Sequence, residues 1–79
     1  MFYVYILQLE NGQYYTGFTK DLEARMKKHE NHSVPTTNRI RPEELVFSAA
    51  FQTEKKALAF EKYLKSSSGF AFRNKRLIG

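Results

Sequence analysis

With 79 residues, net charge +5 and twelve aromatics among 42% hydrophobic residues, the chain has the length and composition of one small folded domain, 1–79. A second folded unit and a disordered chain are both excluded on these grounds. No cysteine is present, so neither disulfides nor thiolate-bound zinc can hold so small a core together. The first residues, Met1-Phe2-Tyr3, include no basic leader, and the uncharged stretch from Met1 to Leu9 is far too short to span a bilayer. A soluble cytoplasmic protein without membrane contact is expected.

Phe2 to Leu9 reads as a strand rich in β-branched and aromatic residues. Both of its alternating faces are apolar, which predicts a central strand covered on two sides. Asn11-Gly12 signals a hairpin, and Gln13 to Phe18 returns as the second strand. A two-residue turn would set Tyr5 and Tyr15 on opposite faces. A three-residue loop, Glu10-Asn11-Gly12 with Gly12 left-handed, pairs Tyr5 with Gly17 and sets both tyrosines on one face; this register is the prediction. A helix follows over Lys20 to Glu30, acidic at its start and basic at its end, with Leu22, Arg25, Met26 and His29 facing the sheet.

Asn31 to Pro42 reads as a loop bearing Arg39 and Arg41, and Leu45 to Phe51 as the third strand. Thr53 caps a second helix that runs to about Lys65. Ser66-Ser67-Ser68-Gly69 interrupts it, and Phe70 to Ile78 forms a short basic third helix. The predicted order is β-β-α-β-α-α, an α+β chain.

Charge is uneven along the sequence: residues 20–42 carry +3 and residues 65–79 carry +4. Clustered Lys and Arg of this kind form the footprint of a polyanion partner, because phosphate neutralisation with counterion release dominates nucleic-acid affinity. A merely soluble basic surface is the alternative. The candidate contacts are Lys27, Lys28, Arg39 and Arg41 with Arg73, Lys75 and Arg76.

Three polar residues fall where the apolar periodicity predicts core. Glu61 interrupts the stripe Ala57, Leu58, Leu64 on the second helix, where a lone carboxylate needs a cation or donors. Solvent at the stripe's edge, pairing with Arg25, and a hard divalent cation are three ways to satisfy it. Arg25 and His29, four apart, share the sheet-facing side of the first helix. Arg25 either snorkels or aims its planar fork at a phosphate; His29 is a dipole partner or lies one turn beyond a site arginine. Tyr3, Tyr5, Tyr14 and Tyr15 crowd the hairpin, as core packing or as part of a site.

Tyr3-Val4-Tyr5, then Tyr15-Thr16-Gly17, Arg25, His29 and Glu61 in that order and spacing resemble the GIY-YIG nuclease module, above all its small stand-alone bacterial members. The likeness extends over essentially the whole chain. Tyr3 stands in place of the usual first Gly, Thr16 in place of Ile, and Phe18 where repair nucleases of the family carry a Lys. The resemblance implies a three-stranded antiparallel sheet flanked by helices and single-metal phosphodiester hydrolysis. It also implies that Glu61 binds one Mg²⁺ or Mn²⁺, that Arg25 contacts the phosphate, and that Tyr5 and Tyr15 line the site, with Tyr15 preferred for orienting water. His29 becomes an auxiliary base or phosphate contact, and Asn74 is aligned with a family Asn. The expected activity is a divalent-metal-dependent endonuclease acting on DNA, structured or damaged DNA included, as in DNA repair. RNA remains open as a substrate, and the alternative is a catalytically weak nucleic-acid binding module.

Overall fold

The first strand, β1 (Phe2–Leu9), lies between β2 (Tyr14–Thr19) and β3 (Pro42–Phe51) in an antiparallel sheet of order β2-β1-β3. The computed structural model describes residues 1–30 and 42–78. Among the described residues three helices accompany the sheet: α1 (Leu22–Glu30), α2 (Glu54–Leu64) and α3 (Ser67–Phe72), the last running into a π-helical turn over Arg73–Leu77. The α+β class, the three-stranded antiparallel sheet and the order β-β-α-β-α-α are those the sequence predicts.

Side-chain alternation along β1 divides the core in two. Val4 and Ile6 point to one face, where Ala57 and Leu64 of α2 close over them with Phe60, Phe47 and Phe51 alongside. Tyr5, Leu7 and Leu9 point to the other face and meet Tyr15 together with Leu22 and Met26 of α1. Both faces of the central strand are thus covered.

The hairpin has the three-residue loop. The Gly12 amide donates to the Leu9 carbonyl at 2.9 Å, the Leu9 amide donates to the Gln13 carbonyl at 2.8 Å, and Gly12 has φ +86°, a conformation that glycine adopts without penalty. Tyr5 therefore pairs with Gly17 and Leu7 with Tyr15, which sets Tyr5 and Tyr15 on one face.

Helix ends differ in detail from the sequence reading. α1 begins at Leu22, because Asp21 is used as its cap: Oδ1 accepts from the Ala24 amide at 3.1 Å. Thr53 caps α2 as expected, its Oγ1 accepting from the Lys56 amide at 3.2 Å. The predicted interruption over the serines is shorter than expected, and α3 starts at Ser67, three residues before Phe70. Ser66 makes the corner: its Oγ donates to the Tyr63 carbonyl at 2.6 Å and accepts from the Gly69 amide at 3.2 Å. A Cβ at Gly69 would overlap the Tyr63 carbonyl, so the tight corner depends on glycine there.

β3 likewise starts three residues earlier than predicted. Pro42 and Glu44 are paired with Leu9 and Gln8 of β1, past two register irregularities. Proline is compatible with the first residue of a strand. The predicted Asn31–Pro42 loop, apart from Pro42, lies outside the described residues, as do Arg39 and Arg41. No helix among the described residues is long and apolar enough to cross a membrane.

Gly17 is under the Tyr5 ring, and a Cβ there would fall onto the phenol. Overpacking of this kind costs about 1–3 kcal/mol. Gly17→Ala is expected to lower the melting temperature by roughly 5–20 °C for a domain of this size, measured by circular dichroism. An unchanged melt would show that the ring does not rest on Gly17.

Candidate active site

The α1-side core is organised around one oxygen. Tyr5, wholly buried, has its Oη 2.9 Å from His29 Nε2, and the same oxygen accepts from Arg25 Nε at 3.1 Å. Arg25 and His29 reach it together because residues four apart stack on one side of a helix, the side that carries Leu22 and Met26. Tyr15 completes the group: its ring centroid is 6.2 Å from that of Tyr5 and 5.3 Å from that of His29. The sequence-predicted residues Tyr5, Tyr15, Arg25 and His29 are thereby gathered in one cluster.

Burial sets the protonation states. Desolvation pushes the Tyr5 phenol up to about 12, against the opposing pull of the Arg25 hydrogen bond. His29, 1% exposed, is pushed down from 6.5 to about 4, first by burial and second by the Arg25 charge. Arg25 is raised further, chiefly by its bond to Tyr5. At neutral pH the cluster therefore holds a neutral phenol, a neutral imidazole and one permanent cation. With the imidazole neutral, we assign the phenol proton to the bond toward Nε2, leaving Oη a lone pair for the guanidinium. Tyr15, by contrast, is half-buried and reaches the surface.

Glu61 is not joined to this cluster by an ion pair. It stands on α2, the helix over the opposite sheet face, and the one ion pair among the described residues joins its Oε2 to Lys65 Nζ at 3.5 Å. Pairing with Arg25, one of the ways to satisfy this carboxylate, is thus replaced by pairing with Lys65, four residues along the same helix. The Glu61 side chain is 20% exposed and that of Lys65 56%. A cleft of about 300 Å³ beside β2 is lined by Tyr14, Tyr15, Leu64 and Lys65 among others. Among the described residues no group of three or more His, Cys, Asp or Glu could hold a metal ion.

The basic residues separate into two kinds. Lys27, Lys28, Lys75 and Arg76 are exposed. Arg73, expected among them, is buried: its guanidinium lies 5.2 Å from the Tyr14 ring centroid and 4.4 Å from that of Phe70. Its Nε and Nη2 both donate to Asn74 Oδ1, which leaves Asn74 as a partner of this arginine. Aromatic faces favour a guanidinium over water here. Phe18 packs on the α2 side, stacked on Phe2 at 6.4 Å. Lys65 was not singled out from sequence, although its i+4 spacing from Glu61 carried the signal.

A hairpin bearing two tyrosines, with an arginine and a histidine delivered by the following helix, is the arrangement that the resemblance to a catalytic domain implied. The GIY-YIG catalytic domain family matches residues 1–76, and the chain belongs to that family. It is similar to the UPF0213 protein of Staphylococcus saprophyticus, 39% identical over 67 residues that cover 84% of this chain and 82% of the relative. The UPF0213 protein of Halalkalibacterium halodurans is 39% identical over 84% of this chain and 71% of its own length. UPF0213 protein YazA of Bacillus subtilis is 31% identical over 80% and 65%, respectively. No solved structure matches.

The depressed His29 value makes stability depend on pH. Folding excludes a proton that the unfolded chain takes up near 6.5, so this contribution is complete above pH 6.5, declines as pH falls toward about 4, and is flat below. The loss is about 3 kcal/mol. Melts between pH 8 and 4 are expected to show a decline over that window in the wild-type chain and a flatter profile in His29→Gln. Parallel profiles would show that His29 is not held neutral.

Proposed function

We propose that the chain is a divalent-metal-dependent endonuclease that hydrolyses phosphodiester bonds in DNA, structured or damaged DNA included. The observation that carries this reading is the Arg25 guanidinium, a permanent cation fixed by the buried Tyr5 oxygen beside a tyrosine that reaches the surface. Family membership supports it. The setting it implies is DNA repair in the cytoplasm.

The two tyrosines take different parts. Tyr5 is wholly buried, its oxygen is already shared, and its proton is held tightly, so it positions Arg25 and His29. Tyr15 is placed to hydrogen-bond the attacking water. His29, buried against both rings, holds Tyr5 in place from its other side. Arg25 stabilises the charge that develops on the non-bridging phosphate oxygens as water adds and the leaving oxygen departs. Lys27, Lys28, Lys75 and Arg76, with Arg39 and Arg41, supply backbone contacts to the nucleic acid.

Glu61 is the residue that would hold the metal. One half-buried carboxylate suits Mg²⁺ or Mn²⁺, ions that keep most of their waters and share the substrate's phosphate; it does not make a closed protein cage. The chemistry such an ion would supply there is neutralisation of phosphate charge and Lewis-acid polarisation of the phosphoryl group.

Phe18 favours a second reading. Its packed ring replaces the ammonium of the repair nucleases, which suits a nucleic-acid binding module with little turnover.

A nicking assay with single-stranded, duplex and branched DNA and RNA in Mg²⁺ or Mn²⁺ separates the two. We expect cleavage by the wild-type chain, none by Glu61→Gln, and a loss of about 10²–10³ in rate for Arg25→Ala. Because Glu61 is held only by a 3.5 Å i,i+4 pair with the exposed Lys65, Glu61→Gln is expected to melt within a few degrees of wild type. Binding without cleavage in either metal would establish the module. A second comparison concerns the tyrosines. Tyr15→Phe is expected to stop cleavage with stability retained, whereas Tyr5→Phe leaves the buried imidazole without this partner and destabilises by about 1–3 kcal/mol. Equal effects of the two on stability would remove the division of roles.

A further inference from the structure

The cleft beside β2 holds residues that the proposed hydrolysis does not use. Besides Tyr15, its lining includes Tyr14, Lys65, Phe70 and Arg73. Phe70 is 48% exposed although Arg73 lies against one side of its ring, so the open area belongs to the rest of a ring held by a buried cation. An exposed aromatic fixed in this way is a ready stacking surface. At about 300 Å³ the cleft has room for one nucleotide and none for a duplex.

We infer that this cleft is a subsite for a single unpaired nucleotide of DNA, with Phe70 as the stacking surface for its base and Lys65 as the cation for its phosphate. The inference rests on the nuclease reading and deepens it. Stacking on a fixed aromatic is sequence-tolerant, since every base presents a π-face, and it requires the base to be out of the duplex. Lys65 is suited to the phosphate because its own side chain is 56% exposed and its present partner is only Glu61 at 3.5 Å, a weak i,i+4 attachment that a phosphate can replace. Moving Lys65 onto phosphate also frees Glu61. Occupation of the subsite and exposure of the carboxylate are thereby coupled through one side chain.

The test measures binding of a short fluorescent oligothymidylate and of an abasic oligomer of equal length to the full chain, in EDTA and over a range of salt. Phe70→Leu keeps an apolar side chain against Arg73 and removes the ring; it is expected to weaken oligothymidylate binding about 5- to 150-fold and leave the abasic oligomer unaffected. Phe70→Tyr is expected to bind as wild type. Lys65→Gln is expected to reduce the log–log salt slope by about 0.7 for both single-stranded oligomers. Titration of the wild-type chain with oligothymidylate, followed by NMR, gives a measure independent of any variant: upfield shifts of the Phe70 ring protons are expected. Wild-type affinity in Phe70→Leu, or ring protons that do not move while the chain binds and cuts DNA, overturns the subsite and leaves the nuclease reading standing. Absence of both binding and cleavage in the wild-type chain overturns both.

Discussion

The phenol oxygen of Tyr5 is the point on which the α1 side of the molecule depends. One atom accepts the Arg25 Nε and pairs with His29 Nε2, so it fixes two side chains of one helix against the central strand. Burying an arginine and a histidine together on an apolar helix face is costly unless their polar atoms are satisfied. Here the phenol meets part of that need, and Leu22 and Met26 supply the apolar contact around it. The register of the hairpin and the bare Cα of Gly17 are both conditions for the ring to lie where it does.

The same oxygen explains why the charge states are so unequal. In water, histidine is the side chain that titrates nearest neutral pH, yet His29 is held neutral well below it, because the surrounding core and the neighbouring guanidinium both oppose a second cation. The cluster therefore presents one charge that does not vary with pH over the physiological range. Whatever anion approaches Tyr15 meets a constant field rather than a switch.

Most of this was legible in the sequence, because the informative residues violated a periodicity. Arg25 and His29 were visible as polar residues on an apolar face, and the register followed from loop length and the preference of Gly12 for a left-handed conformation. What escaped depended on partners distant in sequence or on residues with two uses. Arg73 reads as one more exposed cation until Tyr14 of the hairpin is brought against it. Serine serves as both breaker and cap, so Ser66 to Ser68 read as an interruption where the structure uses them to begin α3. Pro42, Glu43 and Glu44 have poor strand propensity, and it is pairing with the far end of β1 that extends β3 through this stretch. Glu61 was legible as anomalous but not its partner, since Lys65 falls at the end of the helix where a lysine is unremarkable.

The strand order β2-β1-β3 also governs how the molecule comes together. The β1–β2 hairpin closes through a three-residue loop, a local event with little loop entropy, whereas β3 must return to β1 from the far side of α1 and residues 31–41. Until it does, β1 has one open edge, and the side of Val4 and Ile6 has no helix over it, since α2 follows β3 in the chain. Tyr5, Tyr15, Arg25 and His29 all lie in the first thirty residues and can meet early, but the strand that carries them is secured only by the later, non-local pairing. Assembly of the tyrosine cluster thus draws on contacts within the first thirty residues, whereas the sheet is completed only by a pairing that closes a longer stretch of chain.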